Sequence, residues 1–514
     1  MTYLIASCIA LLLGPLSYRY LNAGGGLHKG LDGFIFVSLG GLVLIHILPE
    51  LLQHGGLLAI LFVILGLWGP TASEKLFHRY SEITHKLTLI FGIAGLLLHT
   101  LTDGGAIVLA QQGNGSVLLA LGVILHRLPV GLAIWWLLKP QAGRLWASVV
   151  IALMMLLTIV GYFAGEQLLS QLTLDNTVYL QAFVTGSILH VVMHQPHAHE
   201  HEHEQQHTHH APTKPRYELH AGVGSLLGIA LLLVLLLTEA ESSGHHHHEH
   251  HALFEWLLSL APALILVFVL ATCRRVIGFY VERQSGWLRA WLQQATPEIW
   301  IFAILLLGPA YGLLLPLFTA LAACIVPADN SPEAHDSLLS SLMKDVERCA
   351  PWMLLSLLLA NLVGHPAMPL NADWAQVIFL AVVFALLPFS LPGAIVLAMG
   401  LGSSDWSPAA VVFCLLAPLL RQQYQQHLPW WKLAMSALLS VCILVVVHFW
   451  QPSTVQILHY PGWLEYGALT VMMLLFAVGL MRLGPRQFLG RLKPELPAAI
   501  AMPHMPHEHH EHHH

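Results

Sequence analysis

Apolar runs of membrane-spanning length alternate with short polar segments along the whole chain. A helix needs about 20 apolar residues to cross a hydrocarbon core of about 30 Å. Helices and closed barrels are the structures that satisfy their own backbone groups there. The pattern predicts an all-α polytopic membrane protein with about 15 transmembrane helices. Eight spans are predicted in the first half, near 2–18, 33–52, 56–70, 87–111, 115–138, 146–169, 177–194 and 221–238. Seven more are predicted near 253–273, 299–325, 350–365, 374–400, 407–420, 430–450 and 464–482.

The composition fits a chain that is solvated mainly by lipid. Hydrophobic residues make up 56% of the 514 residues and charged residues 10%, whereas a soluble domain is about 25% charged. The first apolar run lacks the basic start and cleavage site of a signal peptide, so we predict a retained helix. The six cysteines include no CxxC pair and predict neither a disulfide framework nor a thiolate zinc site. The diffuse net charge of -6 and the lack of a GxxxxGK(S/T) loop indicate no nucleic acid and no nucleotide as partners.

Lysine and arginine residues lie in alternate predicted loops, which indicates the topology. They follow spans one, three, five and seven, and they are missing from the loops after spans two, four, six and eight. This alternation predicts an external N-terminus and a cytoplasmic side for the basic loops. With 15 spans the basic segments 274–289, 421–432 and 482–493 also lie inside, which predicts a cytoplasmic C-terminus. Lys344 and Arg348 disagree with this pattern.

Most of the 35 histidines lie in three tracts, 194–210, 245–251 and 504–514. Low-complexity tracts cannot pack a core, and neutral imidazole is a good ligand for Zn, Cu and Ni. The tracts therefore predict weak multisite metal capture. The third tract could instead be an expression tag, although Glu508 and Glu511 interrupt it. The capture residues that we predict in the first two tracts are His197, His199, His201, His203, His245, His246, His247 and His248.

Four predicted spans contain ionisable residues, although a charge at the centre of a membrane helix costs about 2.5–3.5 kcal/mol. In three of the four, two such residues are spaced i, i+4 and so share a helical face. Two faces of this kind could supply the four ligands that zinc prefers, whereas any single histidine could equally form one hydrogen bond to a neighbouring helix. The residues are His46 and Glu50 in span two, His99 and Asp103 in span four, His126, Arg127 and Pro129 in span five, and His190 and His194 in span seven.

Residues 1–240 resemble the ZIP family of zinc permeases in three motifs. HILPE at 46–50, HTLTD at 99–103 and HRLPVG at 126–131 are similar to the family's HxxxE-like, HNxxD and HExPHE elements in spans two, four and five. The family has eight spans with both ends outside, which agrees with the predicted topology. The resemblance implies that His99, Asp103 and His126 are transport-site ligands, that Glu50 assists them, and that Pro129 loosens span five.

The sequence departs from the ZIP pattern at four positions. Thr100 replaces the family's Asn, Arg127 replaces its first Glu, and Val130 and Gly131 replace its second His and Glu. The family's two-metal centre uses those acidic groups, so we expect at most one metal here, with Arg127 supplying a fixed positive charge in place of the second. An alternative is that the site has lost its function and that this half is a sensor or scaffold.

Two spans of the second half are interrupted by glycine and proline. Span ten contains Pro309 and Pro316, and span twelve contains Pro388 and Pro392. Such pairs are typical of discontinuous helices that line a substrate path, although ordinary packing kinks are an alternative. Residues 299–420 resemble a prokaryotic heavy-metal exporter permease family in LMKDVERCAPWMLLSLLLANLVG and PLFTALAACIVP. The second segment occupies the place of that family's Pro-Leu-Cys-Ser-Cys-Gly motif, and Cys324 is the one cysteine near it, so paired-thiolate chemistry is not expected.

These patterns predict four regions. They are a ZIP-like metal-transport domain at 1–240 with a His-rich cytoplasmic loop at 194–220, a His-rich linker at 241–252, a permease-like domain at 253–484, and a His-rich tail at 485–514.

The predicted function is transport of a divalent transition-metal cation, zinc first, across the inner membrane of a bacterium by alternating access. Zinc is then a substrate, and neither a prosthetic group nor an enzymatic activity is expected. The expected partners are the metal ion and the lipid bilayer, and a homodimer is left open. The alternatives are a heavy-metal efflux permease, a non-transporting sensor or storage protein, and an intramembrane metalloenzyme, which the lack of HExxH disfavours. The two resemblances imply opposite directions of transport, so direction is left open.

Overall fold

All described regular structure in the computed structural model is helical. No strand occurs among the described residues, which confirms the predicted all-α class. The described residues are 1–19, 25–76, 117–169, 218–242, 247–277, 281–328, 337–364, 370–426, 428–452, 455 and 457–492, with single positions between 90 and 108 and between 178 and 189.

Positive-φ glycines break two long helical stretches of the first half. Gly56 has φ 55° and Gly143 has φ 85°, a backbone region that glycine adopts without a Cβ clash. Both breaks lie in or next to loops that the sequence predicts, after spans two and five. A π-helical segment, Val43–Ile47, connects the helix that ends at Leu42 to the helix that begins at Leu48. The helices are α1 (Thr2–Arg19), α2 (Gly26–Leu42), α3 (Leu48–Leu76), α4 (Val117–Leu169) and α5 (Leu219–Ser242).

The second half consists of shorter helices between a few long ones. A 3-10 turn, Val281–Arg283, precedes a short amphipathic helix. The helices are α6 (His247–Val276), α7 (Gly286–Gln294), α8 (Pro297–Gly312), α9 (Leu314–Ala322), α10 (Leu338–Val363), α11 (Asp373–Leu386), α12 (Leu391–Ser403), α13 (Pro408–Gln425), α14 (Trp430–Trp450) and α15 (Gly462–Gly490).

Both Gly/Pro-rich segments of the second half are discontinuous in the structure. In span ten, α8 breaks at Gly308 (φ 80°), next to Pro309, and Pro316 lies in the following helix, α9. In span twelve, Pro388 lies between α11 and α12, and Pro392 lies in the first turn of α12. Helix α12 is buried from residue 393 to 402 and packs against α8, α10 and α13. That these breaks line a substrate path remains a prediction.

Five helices in the described part of the chain are long and apolar enough to cross a membrane. A bent pair formed by α7 and α8, with an angle of 45°, would make a sixth span. The chain is therefore an all-α membrane protein, and the total of about 15 spans remains a prediction. The five helices are Ala142–Ala164, Phe254–Val276, Leu338–Val363, Trp430–Trp450 and Gly462–Gly490.

The structure divides the chain into two compact units. The first unit comprises Met1–Phe254 and Met473–Phe488, and the second comprises Glu255–Met472 and Leu489–His514. The sequence predicts 253–484 as one domain, and this division remains a prediction. Most of α15 after residue 472 packs with the first unit.

Backbone contacts explain why the end of α15 joins the first unit. The N–H group of Glu218, just before α5, donates to the carbonyl oxygen of Arg482 at 3.3 Å. Gly222 on α5 allows the backbone of Met481 to approach so closely that a Cβ would collide with it. A small residue at a helix crossing permits this distance in membrane proteins.

An ion pair also joins α15 to α2 within the first unit. Nη2 of Arg486 lies 3.0 Å from Oδ1 of Asp32, and the guanidinium lies 5.3 Å from the centre of the Phe36 ring. We expect Arg486→Ala to lower the free energy of unfolding by about 1 kcal/mol, since partly exposed ion pairs and cation–π contacts each contribute about that much or less. The measurement is the Tm in detergent. The exposed Arg491→Ala is the matched control, and an equal loss in both variants would contradict the prediction.

Candidate functional site

Residues from predicted spans four and five meet inside the first unit. His99 and Asp103 lie at described helical positions between 90 and 108, and Arg127 lies on α4 before the break at Gly143. Nε2 of His99 is 3.6 Å from Oδ1 of Asp103. The two side chains therefore share a helical face, as their i, i+4 spacing predicts.

Asp103 and Arg127 form a buried ion pair. Nη2 of Arg127 is 3.1 Å from Oδ2 of Asp103. The exposed fraction is 1% for Arg127 and 8% for Asp103, and Arg127 is among the largest fully buried side chains in the described part of the chain. Because an uncompensated buried charge is very costly, each of these two groups makes the other tolerable in an apolar span.

The guanidinium of Arg127 also binds two uncharged acceptors. Nη1 donates to the hydroxyl of Thr158 at 2.7 Å, and Nη2 donates to the carbonyl oxygen of Thr100 at 3.2 Å. The Thr158 hydroxyl in turn donates to the Met154 carbonyl at 2.8 Å. Nε has no hydrogen-bond partner among the described residues. Three helical segments therefore converge on one cation, with Thr158 contributed by the part of α4 after Gly143.

Two glycines bring the segment of Thr100 into backbone contact with the part of α4 after Gly143. A Cβ on Gly161 would collide with the carbonyl oxygen of Leu101, and a Cβ on Gly104 would collide with that of Thr158. Close approach of this kind is what small residues provide at helix interfaces in a membrane. Thr158 lies one turn before Gly161 on the same helix. The backbone contact therefore brings Thr158 beside the Asp103–Arg127 pair.

Gly161→Ala should loosen this site. The added methyl group would force the two backbones apart, and overpacking of this kind costs about 1–3 kcal/mol. The measurement is the Tm in detergent. Gly40→Ala on α2 is the matched control, because no atom lies within 4 Å of a Cβ built there. That control should be neutral or slightly stabilising, since alanine is the better helix former. Equal effects of the two variants would contradict the role of the Gly161 contact.

Val130 and Gly131 are both packed closely against other parts of the first unit. Val130 is buried in an apolar cluster with Leu11, Ile134 and Met154. A Cβ on Gly131 would stand 2.6 Å from the carbonyl oxygen of Leu11 on α1. There is no room at Gly131 for a ligand side chain unless α1 moves. That a second metal has no ligands at these two positions remains a prediction.

Several predicted site residues lie outside the described part of the structure. Within the described residues, no group of three or more His, Cys, Asp or Glu side chains is arranged to hold a metal ion. The side chain of His126 lies outside the described part, so its role as a third ligand remains a prediction. Side chains outside the described part, although their helices are described, are those of His46, Glu50, His126, Pro129, His247 and His248. Residues that lie outside it altogether are His190, His194, His197, His199, His201, His203, His245 and His246.

The likeness to ZIP permeases depends on three short motifs, 46–50, 99–103 and 126–131, and on the predicted topology. No family model, no characterised protein and no solved structure matches the chain. Membership of the ZIP family therefore remains a hypothesis, and its consequences for the site are proposals.

Thr158 contributes to the site without a signal of its own in the sequence. Thr158 looks like an ordinary residue of the apolar run ALMMLLTIVGYF, and its only mark is the small residue Gly161 three positions later. Its role depends on a contact between helical segments that are 31 positions apart in sequence, which local patterns do not reveal.

Proposed function

We propose that this chain transports a divalent transition-metal cation, zinc first, through its first unit. The observation that carries the proposal is the separation of two donor atoms, Nε2 of His99 and Oδ1 of Asp103, which is 3.6 Å. Two ligand atoms that each lie about 2.0–2.2 Å from one tetrahedral zinc ion are about 3.4 Å apart. The two side chains need to close by only about 0.2 Å to share an ion.

His126 is the third ligand that we propose. It precedes Arg127 on α4, the helix whose guanidinium already contacts Asp103. Water would complete four-coordination, as it does in zinc sites that keep an open position. Imidazole and carboxylate donors also accept Ni, Co, Mn and Fe, so zinc is the first of several candidate ions.

Net movement requires that the bound ion be exposed to the two sides in turn. We propose alternating access in the inner membrane of a bacterium, with the helix breaks at Gly56 and Gly143 acting as flexible points. The histidine tracts raise the local metal concentration at the mouths of the path. The ion is the cargo, and no covalent chemistry is involved.

A second candidate function is a metal sensor or scaffold that does not transport. The observation in its favour is the 3.1 Å contact through which Arg127 already satisfies Asp103. In that case the pair is a permanent structural element, and zinc binds only to the histidine tracts. Zinc flux separates the two functions.

The test is zinc flux in proteoliposomes with a fluorescent zinc indicator inside, measured under gradients of both orientations. Transport predicts a flux above that of protein-free vesicles in at least one orientation. Flux at the protein-free level in both orientations, together with intact zinc binding, would establish the sensor or scaffold instead.

Removal of residues 197–210 should leave the transport step intact. We expect slower flux at low zinc and an unchanged maximal flux at saturating zinc, because the tract supplies local concentration and no ligand of the site. The measurement is the zinc dependence of the initial flux. If this deletion stopped flux at every zinc concentration, the separation of core site and capture tract would be wrong.

A further inference from the structure

We propose that Arg127 is a tethered counter-cation that neutralises Asp103 while the site is empty and withdraws from it when the metal binds. This inference rests on the proposed transport function and specifies how the same site exchanges its cargo. Its basis is that one guanidinium binds the carboxylate and two uncharged oxygens at once.

The contacts of Arg127 allow it to release Asp103 without losing all its partners. Thr158 Oγ1 accepts from Nη1 at 2.7 Å, and the Thr100 carbonyl accepts from Nη2 at 3.2 Å. Both acceptors are uncharged, so they can keep their hydrogen bonds to the guanidinium when the charge of the carboxylate is taken up by a metal ion. A divalent ion on Asp103 would repel the guanidinium at this short range. A small rotation away from Oδ2 then leaves the guanidinium on its two threonine acceptors.

Arg127 matters most for the return of the empty carrier. A buried carboxylate without a cation is too costly to carry through an apolar interior, and Asp103 is 8% exposed. When zinc is bound, the metal supplies the compensating charge. When zinc has left, Arg127 supplies it. Loss of the arginine charge should therefore block the return of the empty site but spare the movement of the loaded one.

Arg127→Gln tests this through net flux and exchange. We expect net zinc flux into zinc-free vesicles to fall about tenfold or more, while exchange of radioactive zinc against zinc on the other side continues. We also expect zinc to bind about tenfold more tightly, because it no longer displaces a charge-assisted hydrogen bond. Arg127→Lys keeps the charge and should restore much of the net flux. If Arg127 had only a structural role, Arg127→Gln would reduce net flux and exchange to the same extent.

Thr158→Val tests the other half of the proposal with the opposite sign. The variant keeps the side-chain shape but removes the acceptor that holds Nη1, so the guanidinium depends more on Asp103. Zinc should then bind more weakly, whereas Arg127→Gln strengthens binding. General damage to the site would weaken binding in both variants.

The outcomes separate this inference from the function beneath it. Absence of flux and of exchange in the unmodified protein would overturn the proposed transport. If exchange requires Asp103, the transport proposal stands. If the zinc affinity of Arg127→Gln is then unchanged or weaker, the counter-cation role of Arg127 is wrong. Opposite shifts of affinity in the two variants, with exchange retained in Arg127→Gln, would support it.

Discussion

Asp103→Asn should reduce zinc flux in proteoliposomes to the level of protein-free vesicles. The amide keeps the shape of the side chain but removes the negative charge that both Arg127 and the proposed ion require. Transition-metal sites favour a deprotonated ligand, and a neutral amide oxygen is a poor substitute for a carboxylate. His99→Ala should have the same effect on flux, since its Nε2 lies 3.6 Å from the Asp103 carboxylate. Zinc capture by the histidine tracts should be unchanged in both variants.

Asp32→Asn is the matched control for this prediction. Asp32 is also a partly buried carboxylate of the first unit paired with an arginine, Arg486, at 3.0 Å. It belongs to the junction between α2 and α15, and no transport role is proposed for it. Flux should therefore survive in this variant. Survival of flux in Asp103→Asn, or its equal loss in Asp32→Asn, would show that the Asp103 carboxylate has no specific role.

Arg127→Ala should lower the free energy of unfolding by about 3–5 kcal/mol. Removal of one partner from a buried ion pair leaves the other charge uncompensated, and losses of this size are typical. Arg127 is 1% exposed, so water cannot replace the guanidinium without rearrangement. The measurement is the Tm of the purified protein in detergent, without zinc. The Tm of Arg486→Ala serves as the comparison and should fall less, because the Arg486–Asp32 pair is more exposed.

The double variant Asp103→Asn with Arg127→Gln provides the control for charge. Removing both members leaves no uncompensated buried charge, so much of the lost stability should return. If the single and double variants lost equal stability, packing of the long arginine side chain would account for the effect instead. If Arg127→Ala left the Tm unchanged, the ion pair would contribute nothing to stability.

Local sequence patterns predicted the all-α class and the interrupted helices of the second half. Runs of apolar residues imply helices in lipid because no other open structure satisfies the backbone there. Glycines such as Gly56, Gly143 and Gly308 end or bend these helices because they adopt positive φ without a Cβ clash. The location of α15 was not predictable in this way. Its ion pair joins residues 454 positions apart, and no local pattern contains that information.

The site was predictable only in part, for a similar reason. The i, i+4 spacing of His99 and Asp103 fixes a shared face by helix geometry alone. That Arg127 contacts Asp103 and not a distant group depends on how α4 packs, and the Gly104–Gly161 contact that fixes the packing involves two separate spans. The roles of Val130 and Gly131 also required the structure, since they follow from the position of Leu11 on α1.

Zinc stoichiometry of a variant whose tract histidines are replaced by glutamine tests the central claim most directly. Equilibrium dialysis of this variant should find one zinc ion per chain at saturation, and additional His99→Ala or Asp103→Ala substitutions should abolish that binding. Binding of no zinc by the tract variant, or retention of the ion after those substitutions, would contradict a site built from His99 and Asp103.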